Sequence, residues 1–111
     1  ILFNIAKNNE ILIITDNLTK YFAINSKNGE LLWSKTHLTS FNSQIKIYKD
    51  KFYVVDYENI LHCFSIKNGN KIWSYQTDDF FIKSKKVLSI IIENQKVIFI
   101  FHVIEKVILL N

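Results

Sequence analysis

The sequence predicts an all-β protein assembled from repeated small sheets. Short apolar runs rich in Ile, Val, Phe and Tyr recur about every ten residues, separated by Asn, Asp, Lys and Gly, a pattern typical of strands and turns rather than helices. The stretch SKNGELLWS, which begins at Ser26, returns as IKNGNKIWS, which begins at Ile66. The chain's two glycines and two tryptophans therefore recur at one interval of 40 residues.

The first complete unit, residues 11–50, contains four predicted strands. Its first three strands are separated by turns at 16–19 and 26–29, and a linking strand completes the unit. The four strands are Ile11–Thr15, Lys20–Asn25, Glu30–Lys35 and Gln44–Tyr48.

The second unit, residues 51–95, follows the same order, with turns at 56–59 and 67–70. Its strands are Phe52–Val55, Ile60–Ile66, Lys71–Tyr75 and the linking strand Val87–Ile92. A third, incomplete unit covers 96–111, with strands from Val97 and Val107. Residues 1–10 contain the apolar segment Ile1–Ala6, which we interpret as the end of a preceding unit.

Four strands in about 40 residues are the period of a β-propeller blade. One small twisted sheet leaves two apolar faces open, and neighbouring sheets stacked around an axis cover those faces. We therefore expect residues 1–111 to be a partial propeller domain, a fragment of about two and a half four-stranded antiparallel blades.

The repeated residues have predictable structural roles. We expect Asn28-Gly29 and Asn68-Gly69 to supply the positive φ angles of a hairpin turn with a glycine bulge. Trp33 and Trp73 follow four residues later, where each indole would be buried between adjacent blades and donate its N–H to a backbone acceptor.

The first unit resembles the repeat motif of the pyrroloquinoline-quinone-type (PQQ-like) propeller family. Ala23, an aliphatic residue and Asn25 are followed at the family's spacing by Gly29 and Trp33. The second unit has Cys63, Phe64 and Ser65 in the first three places and retains Gly69 and Trp73. WD40 repeats share the period, but both tryptophans here precede serine instead of aspartate.

The resemblance implies a ring of seven or eight blades and allows two functions. The one we favour is a non-catalytic scaffold that binds a protein partner, as in the periplasmic lipoprotein of the outer-membrane β-barrel assembly machinery. The chain would then be periplasmic or anchored at the outer membrane. The alternative is part of a PQQ-dependent dehydrogenase, with PQQ and calcium as cofactors and its catalytic blades outside this segment.

Composition argues against a nucleic-acid partner. The net charge is +4, but all 14 basic residues are lysines, and arginine, which makes bidentate contacts with phosphate and guanine, is absent. The largest basic cluster is Lys83, Lys85 and Lys86. The abundance of Ile, Lys and Asn indicates an AT-rich genome, and the family resemblance implies that this genome is bacterial.

The residues predict no catalytic, cofactor-binding or metal site. Cys63 is alone and is interpreted as a small buried apolar residue. The three histidines, His37, His62 and His102, lack metal-ligand spacing. Asp78-Asp79 could hold calcium or act as paired carboxylates, but we interpret the pair as a solvated loop end. The apolar run 97–110 is interrupted by polar residues and predicts two buried strands rather than a transmembrane segment.

Overall fold

A computed structural model describes residues 3–41, 43–76, 89–93, 96–101 and 106–110. These ranges form strands, turns and loops without a helix, which confirms the all-β prediction. The strands are β1 (Phe3–Lys7), β2 (Ile11–Asp16), β3 (Lys20–Asn25), β4 (Leu31–Thr36), β5 (Lys46–Tyr48), β6 (Lys51–Val55), β7 (Ile60–Ser65), β8 (Lys71–Gln76), β9 (Ser89–Glu93), β10 (Lys96–Phe101) and β11 (Lys106–Leu110).

The strands form three antiparallel sheets in which consecutive strands are neighbours. The first sheet has the order β1-β2-β3-β4, the second β5-β6-β7-β8, and the third contains β9, β10 and β11. Each sheet starts with the strand that precedes a sequence unit, so the sheets are offset by one strand from units beginning at residues 11 and 51. The unit boundaries themselves stay a prediction.

The first strands of the three sheets lie side by side. β5 contacts β1 of the sheet before it and β9 of the sheet after it. Successive sheets that meet through their first strands are arranged as propeller blades are arranged around an axis. The described residues therefore have the blade architecture predicted from the 40-residue period.

The turn after β3 corrects one detail of the sequence prediction. Gly29 has a φ of +76°, as does Gly69 in the second sheet, but Asn28 and Asn68 are not among the residues with positive φ. Two backbone hydrogen bonds close this turn, and both involve Asn25, which donates to Glu30 (2.8 Å) and accepts from Gly29 (2.9 Å).

Only the last residue of such a loop must adopt the left-handed conformation, and there a glycine avoids a steric penalty. The asparagine before it acts through its side chain. Oδ1 of Asn28 accepts the backbone N–H of Glu30 at 2.9 Å, and Oδ1 of Asn68 accepts that of Asn70 at the same distance. A register shift follows in both sheets, between Ala23 and Ile24 and between Cys63 and Phe64.

Among the residues whose burial the structure describes, the hydrophobic core lies between the first and second sheets. β2 and β3 alternate buried and less buried residues, as strands covered on one face do, whereas β6 and β7 are buried on both faces. The buried cluster draws on both sheets and the connection between them: Ile13, Tyr21, Ala23, Phe41, Ile45, Phe52, Val54, Phe64 and Ile66.

Candidate functional site

Trp33 joins the first sheet to the second. Its indole Nε1 donates a hydrogen bond to the carbonyl oxygen of Ile66 at 2.8 Å, and its ring stacks on Phe52 with an interplanar angle of 12°. Tyr21, from the neighbouring strand, packs its ring edge against the indole. Trp33 is half-buried rather than fully buried, as is Trp73. The side chain of Trp33 nevertheless combines a large contact area with a satisfied polar atom, as interface tryptophans commonly do.

The indole ring of Trp33 packs directly against the backbone of Gly69. A Cβ atom built on Gly69 would lie 2.6 Å from Cζ3 of Trp33, closer than real atoms approach. The carbonyl oxygen of Gly69 also accepts a hydrogen bond from the Tyr21 hydroxyl at 3.1 Å. The turn between β7 and β8, which we call the glycine corner of the second sheet, therefore contacts Trp33 of the first sheet through Gly69. A Cβ added to Gly29 would meet no atom within 4 Å among the described residues.

A second contact between the sheets consists of two histidines and an aspartate. His37 follows β4 of the first sheet, Asp56 follows β6 of the second, and His62 lies within β7. Nε2 of His37 lies 3.2 Å from Oδ2 of Asp56, and Nε2 of His62 lies 2.7 Å from the same oxygen. We call these three residues the His-Asp-His cluster.

The other carboxylate oxygen of Asp56 is used by the turn that precedes β7. Oδ1 accepts the backbone N–H groups of Glu58 (2.8 Å) and Ile60 (3.2 Å). In the first sheet, Oδ1 of Asp16 accepts those of Leu18 and Lys20 in the same way. The repeated aspartates at positions 16 and 56 therefore share a local role as turn acceptors.

Burial and hydrogen bonding set the protonation of the His-Asp-His cluster. Burial raises the pKa of Asp56, but hydrogen bonds from His37, His62 and the Ile60 amide outweigh it, so the pKa of this carboxyl lies below its usual range. Burial lowers the pKa of His62 more than the nearby carboxylate raises it. Asp56 is therefore ionised and His62 neutral at pH 7, with the His62 proton on Nε2, which faces the carboxylate.

The cluster is enclosed but reachable from one side. The side chains of Asp56 and His62 are 2% and 4% exposed, whereas that of His37 is 16% exposed and stacks on Phe41. Nδ1 of His62 is buried without a hydrogen-bond partner among the described residues. The three facing ligand atoms lie within 4.8 Å of one another, so these residues could hold a metal ion.

Comparisons with known proteins identify the family. A model of the family described as outer membrane protein assembly factor BamB matches residues 4–111. The chain belongs to this BamB family. No curated protein matches the sequence.

Solved structures share the fold. The crystal structure of BamB from Moraxella catarrhalis aligns with a TM-score of 0.72 at 18% identity, covering 87% of this chain and 30% of that one. The computationally designed proteins Ika8 and Ika4 each align with a TM-score of 0.73 at 11% identity over 95% of this chain, covering 31% and 62% of theirs. The chain thus spans about a third of the length of BamB and Ika8.

The residues of the PQQ-like repeat motif occupy matching places in the two sheets. Ala23 pairs with Trp33 across neighbouring strands, and Cys63 pairs with Trp73. Both small residues are fully buried, which confirms the interpretation of Cys63 and explains why a cysteine can stand in the alanine place. Tyr53 contacts Trp73 with ring centroids 5.9 Å apart.

The acidic place of the motif is a turn acceptor in both sheets. Oδ1 of Asn25 accepts the backbone N–H of Lys27 at 2.9 Å, and Oγ of Ser65 accepts that of Lys67 at 3.2 Å. Serine can therefore replace asparagine here because the turn requires only a short side chain with an acceptor oxygen.

Sequence reasoning missed the His-Asp-His cluster. Asp56 carried a signal, since it repeats Asp16 at the 40-residue interval, but that signal reports the turn. Nothing in the spacing brings His37 to His62, because the approach depends on how the first sheet packs on the second. Asp78-Asp79, His102 and the Lys83, Lys85 and Lys86 cluster lie outside the described residues. In the described ranges no helix is long and apolar enough to cross a membrane.

Proposed function

We propose that this segment belongs to a non-catalytic scaffold that binds a protein partner in outer-membrane protein assembly. Membership of the BamB family supports the process, and the blade architecture supports the scaffold role. Trp33 and Gly69, two of the repeated motif residues, lie at the contact between the sheets and stabilise their packing. A stack fixed in this way presents its strand edges and loops as a rigid surface.

The observation that carries the proposal is a pair of exposed apolar side chains at equivalent positions. Leu32 on β4 and Ile72 on β8 are 44% and 48% exposed, and each lies on the last strand of a four-stranded sheet. Leu31 and Leu38 are also exposed nearby in the sequence. Exposed apolar side chains that recur on the last strands of two sheets suit contact with another protein.

The location follows from the same proposal. A scaffold for outer-membrane assembly would act in the periplasm or be anchored at the outer membrane of a bacterium. The partner would be a component of the barrel-assembly machinery, and no cofactor is needed for this role. Neither PQQ nor calcium would then change the protein's properties.

Affinity purification of the intact protein from its bacterial source tests the partner. We expect components of the barrel-assembly machinery to co-purify with the wild type and to be lost from the Leu32→Ser, Ile72→Ser double variant. The matched control is Ser34→Ala, Ser74→Ala, two exposed polar positions on the same strands. Retention of the partner by the Leu32→Ser, Ile72→Ser variant would show that these two side chains do not form the binding surface. Failure to recover any component with the wild type would reject the role in outer-membrane assembly.

An activity assay tests the non-catalytic half of the proposal. The intact protein is mixed with PQQ and calcium and supplied with alcohols or sugars and an electron acceptor. The scaffold role predicts no turnover above a sample without protein. Quinone-dependent turnover would overturn it in favour of a dehydrogenase.

A further inference from the structure

We propose that the His-Asp-His cluster is a binding site for a divalent transition-metal ion, best suited to zinc, that links the first two sheets. His37, Asp56 and His62 would each supply one ligand atom. This inference is independent of the scaffold function. It rests on the distances among these three side chains, on their burial and on a comparison with the first sheet.

The distances are close to those of a metal site. In tetrahedral zinc sites with bonds of about 2.0–2.1 Å, neighbouring nitrogen and oxygen ligands lie roughly 3.3 Å apart. Oδ2 of Asp56 is 3.2 Å from Nε2 of His37 and 2.7 Å from Nε2 of His62. One ligand atom from each of the three residues lies within 4.8 Å of the other two. Side-chain adjustments of about 1 Å would bring the set to coordination distance.

The donor set defines the class of ion. Two imidazole nitrogens and one carboxylate oxygen suit zinc, nickel, cobalt or ferrous iron rather than calcium or magnesium, which prefer oxygen ligands. Because Oδ1 of Asp56 is held by the turn, the carboxylate would bind through Oδ2 alone. Three protein ligands leave a fourth position for water, and His37, the most exposed member, marks the side of entry.

The histidines exceed what the turn requires. Asp16 forms the corresponding turn in the first sheet, where Phe22 occupies the position equivalent to His62, 40 residues earlier. A turn of this kind is therefore stable without imidazole partners. The approach of two histidines to one carboxylate oxygen therefore has no counterpart at the Asp16 turn of the first sheet.

The His62 imidazole can present its Nε2 lone pair without losing another hydrogen bond. In the metal-free arrangement the proton on Nε2 faces Asp56, and on coordination this proton would move to Nδ1. Nδ1 has no partner among the described residues, so the move breaks no other bond. The lack of a second-shell acceptor also predicts an affinity roughly 10–100-fold below that of a site that has one.

Calorimetric titration of the purified protein with ZnCl₂ tests the site, with the visible absorption of added CoCl₂ reporting ligand geometry. We expect one equivalent to bind and the unfolding temperature to rise with zinc. His37→Gln and Asp56→Asn should each weaken binding at least tenfold and abolish that rise. Asp16→Asn is the matched control because it makes the same change in a turn that has no histidines, and it should bind as the wild type does.

Each outcome decides the proposal. Absence of saturable zinc binding by the wild type would overturn it, as would binding that persists unchanged in both cluster variants. Asp56→Asn keeps the Oδ1 acceptor needed by the turn, and if that variant fails to fold, His37→Gln decides alone, since His37 is partly exposed and outside the strands.

Discussion

Gly29 and Gly69 share a backbone conformation but differ in what surrounds them. Their φ angle of +76° follows from the turn and was predictable from the Asn-Gly pairs. The close approach of Trp33 to Gly69 was not, because it depends on how one sheet packs on the next. A turn that needs a positive φ angle selects glycine at one position, so the sequence pattern shows it. A packing contact joins residues far apart in the chain, and no local pattern shows that.

This difference predicts unequal effects of one substitution. Gly29→Ala should cost about 1–2 kcal/mol of unfolding free energy, because a Cβ disfavours the left-handed conformation. Gly69→Ala adds overpacking against Trp33, which brings the loss to roughly 2–5 kcal/mol. Urea unfolding of the two variants measures both values, and equal losses would mean that Gly69 does not support the indole.

The Tyr53 hydroxyl makes the stability of the folded chain depend on alkaline pH. Burial, followed by the charge and hydrogen bond of Cys63, raises the pKa of Tyr53 to about 12. The unfolded chain therefore releases this proton near pH 10 and the folded chain only near pH 12, so stability falls with rising pH across that window.

Tyr53→Phe should make the loss of stability between pH 9 and pH 12 shallower, as measured by urea unfolding at several pH values. Tyr57→Phe is the control because the Tyr57 side chain is 39% exposed and not enclosed by the core. A decline as steep in the Tyr53 variant as in the wild type would contradict this assignment.

At the scale of the element, the strands were the most predictable feature. The predicted strand Lys20–Asn25 matches β3 at both ends, and Ile11–Thr15 differs from β2 by one residue. The linking strand was predicted too long, at Gln44–Tyr48, because apolar composition marks Ile45 as buried without revealing that its backbone precedes the ladder of β5. The pattern of apolar residues in the sequence predicts which side chains are buried. It does not predict which of those residues pair with a neighbouring strand.

The turn asparagines support a prediction about these elements. Asn28→Ala and Asn68→Ala each remove one side-chain acceptor from a backbone N–H, so each should cost about 1 kcal/mol. Asn70→Ala serves as the control, since Asn70 contributes to the turn through its backbone. Thermal unfolding compares the three, and a loss at Asn70 equal to that at Asn68 would show that the side-chain bond is not the cause.

At the scale of the whole molecule, the two four-stranded sheets depend on each other. Trp33 and Tyr21 reach from the first sheet to the glycine corner of the second, and the His-Asp-His cluster joins the same sheets elsewhere. The 40-residue period predicted that such sheets stack, because a repeated apolar face needs a neighbour. It could not predict the cluster, because only Asp56 repeats at that interval and the two histidines that converge on it do not.

The unfolding free energy of the Trp33→Ala variant tests most directly whether the indole holds the first and second sheets together. Chemical denaturation should show a loss of about 3–5 kcal/mol, since the change removes a large packed ring and leaves the Ile66 carbonyl without its donor. Leu32→Ala, one residue away on the same strand but exposed, should change stability by less than about 0.5 kcal/mol. A loss below about 1 kcal/mol at Trp33 would contradict the conclusion that this indole holds the two sheets together.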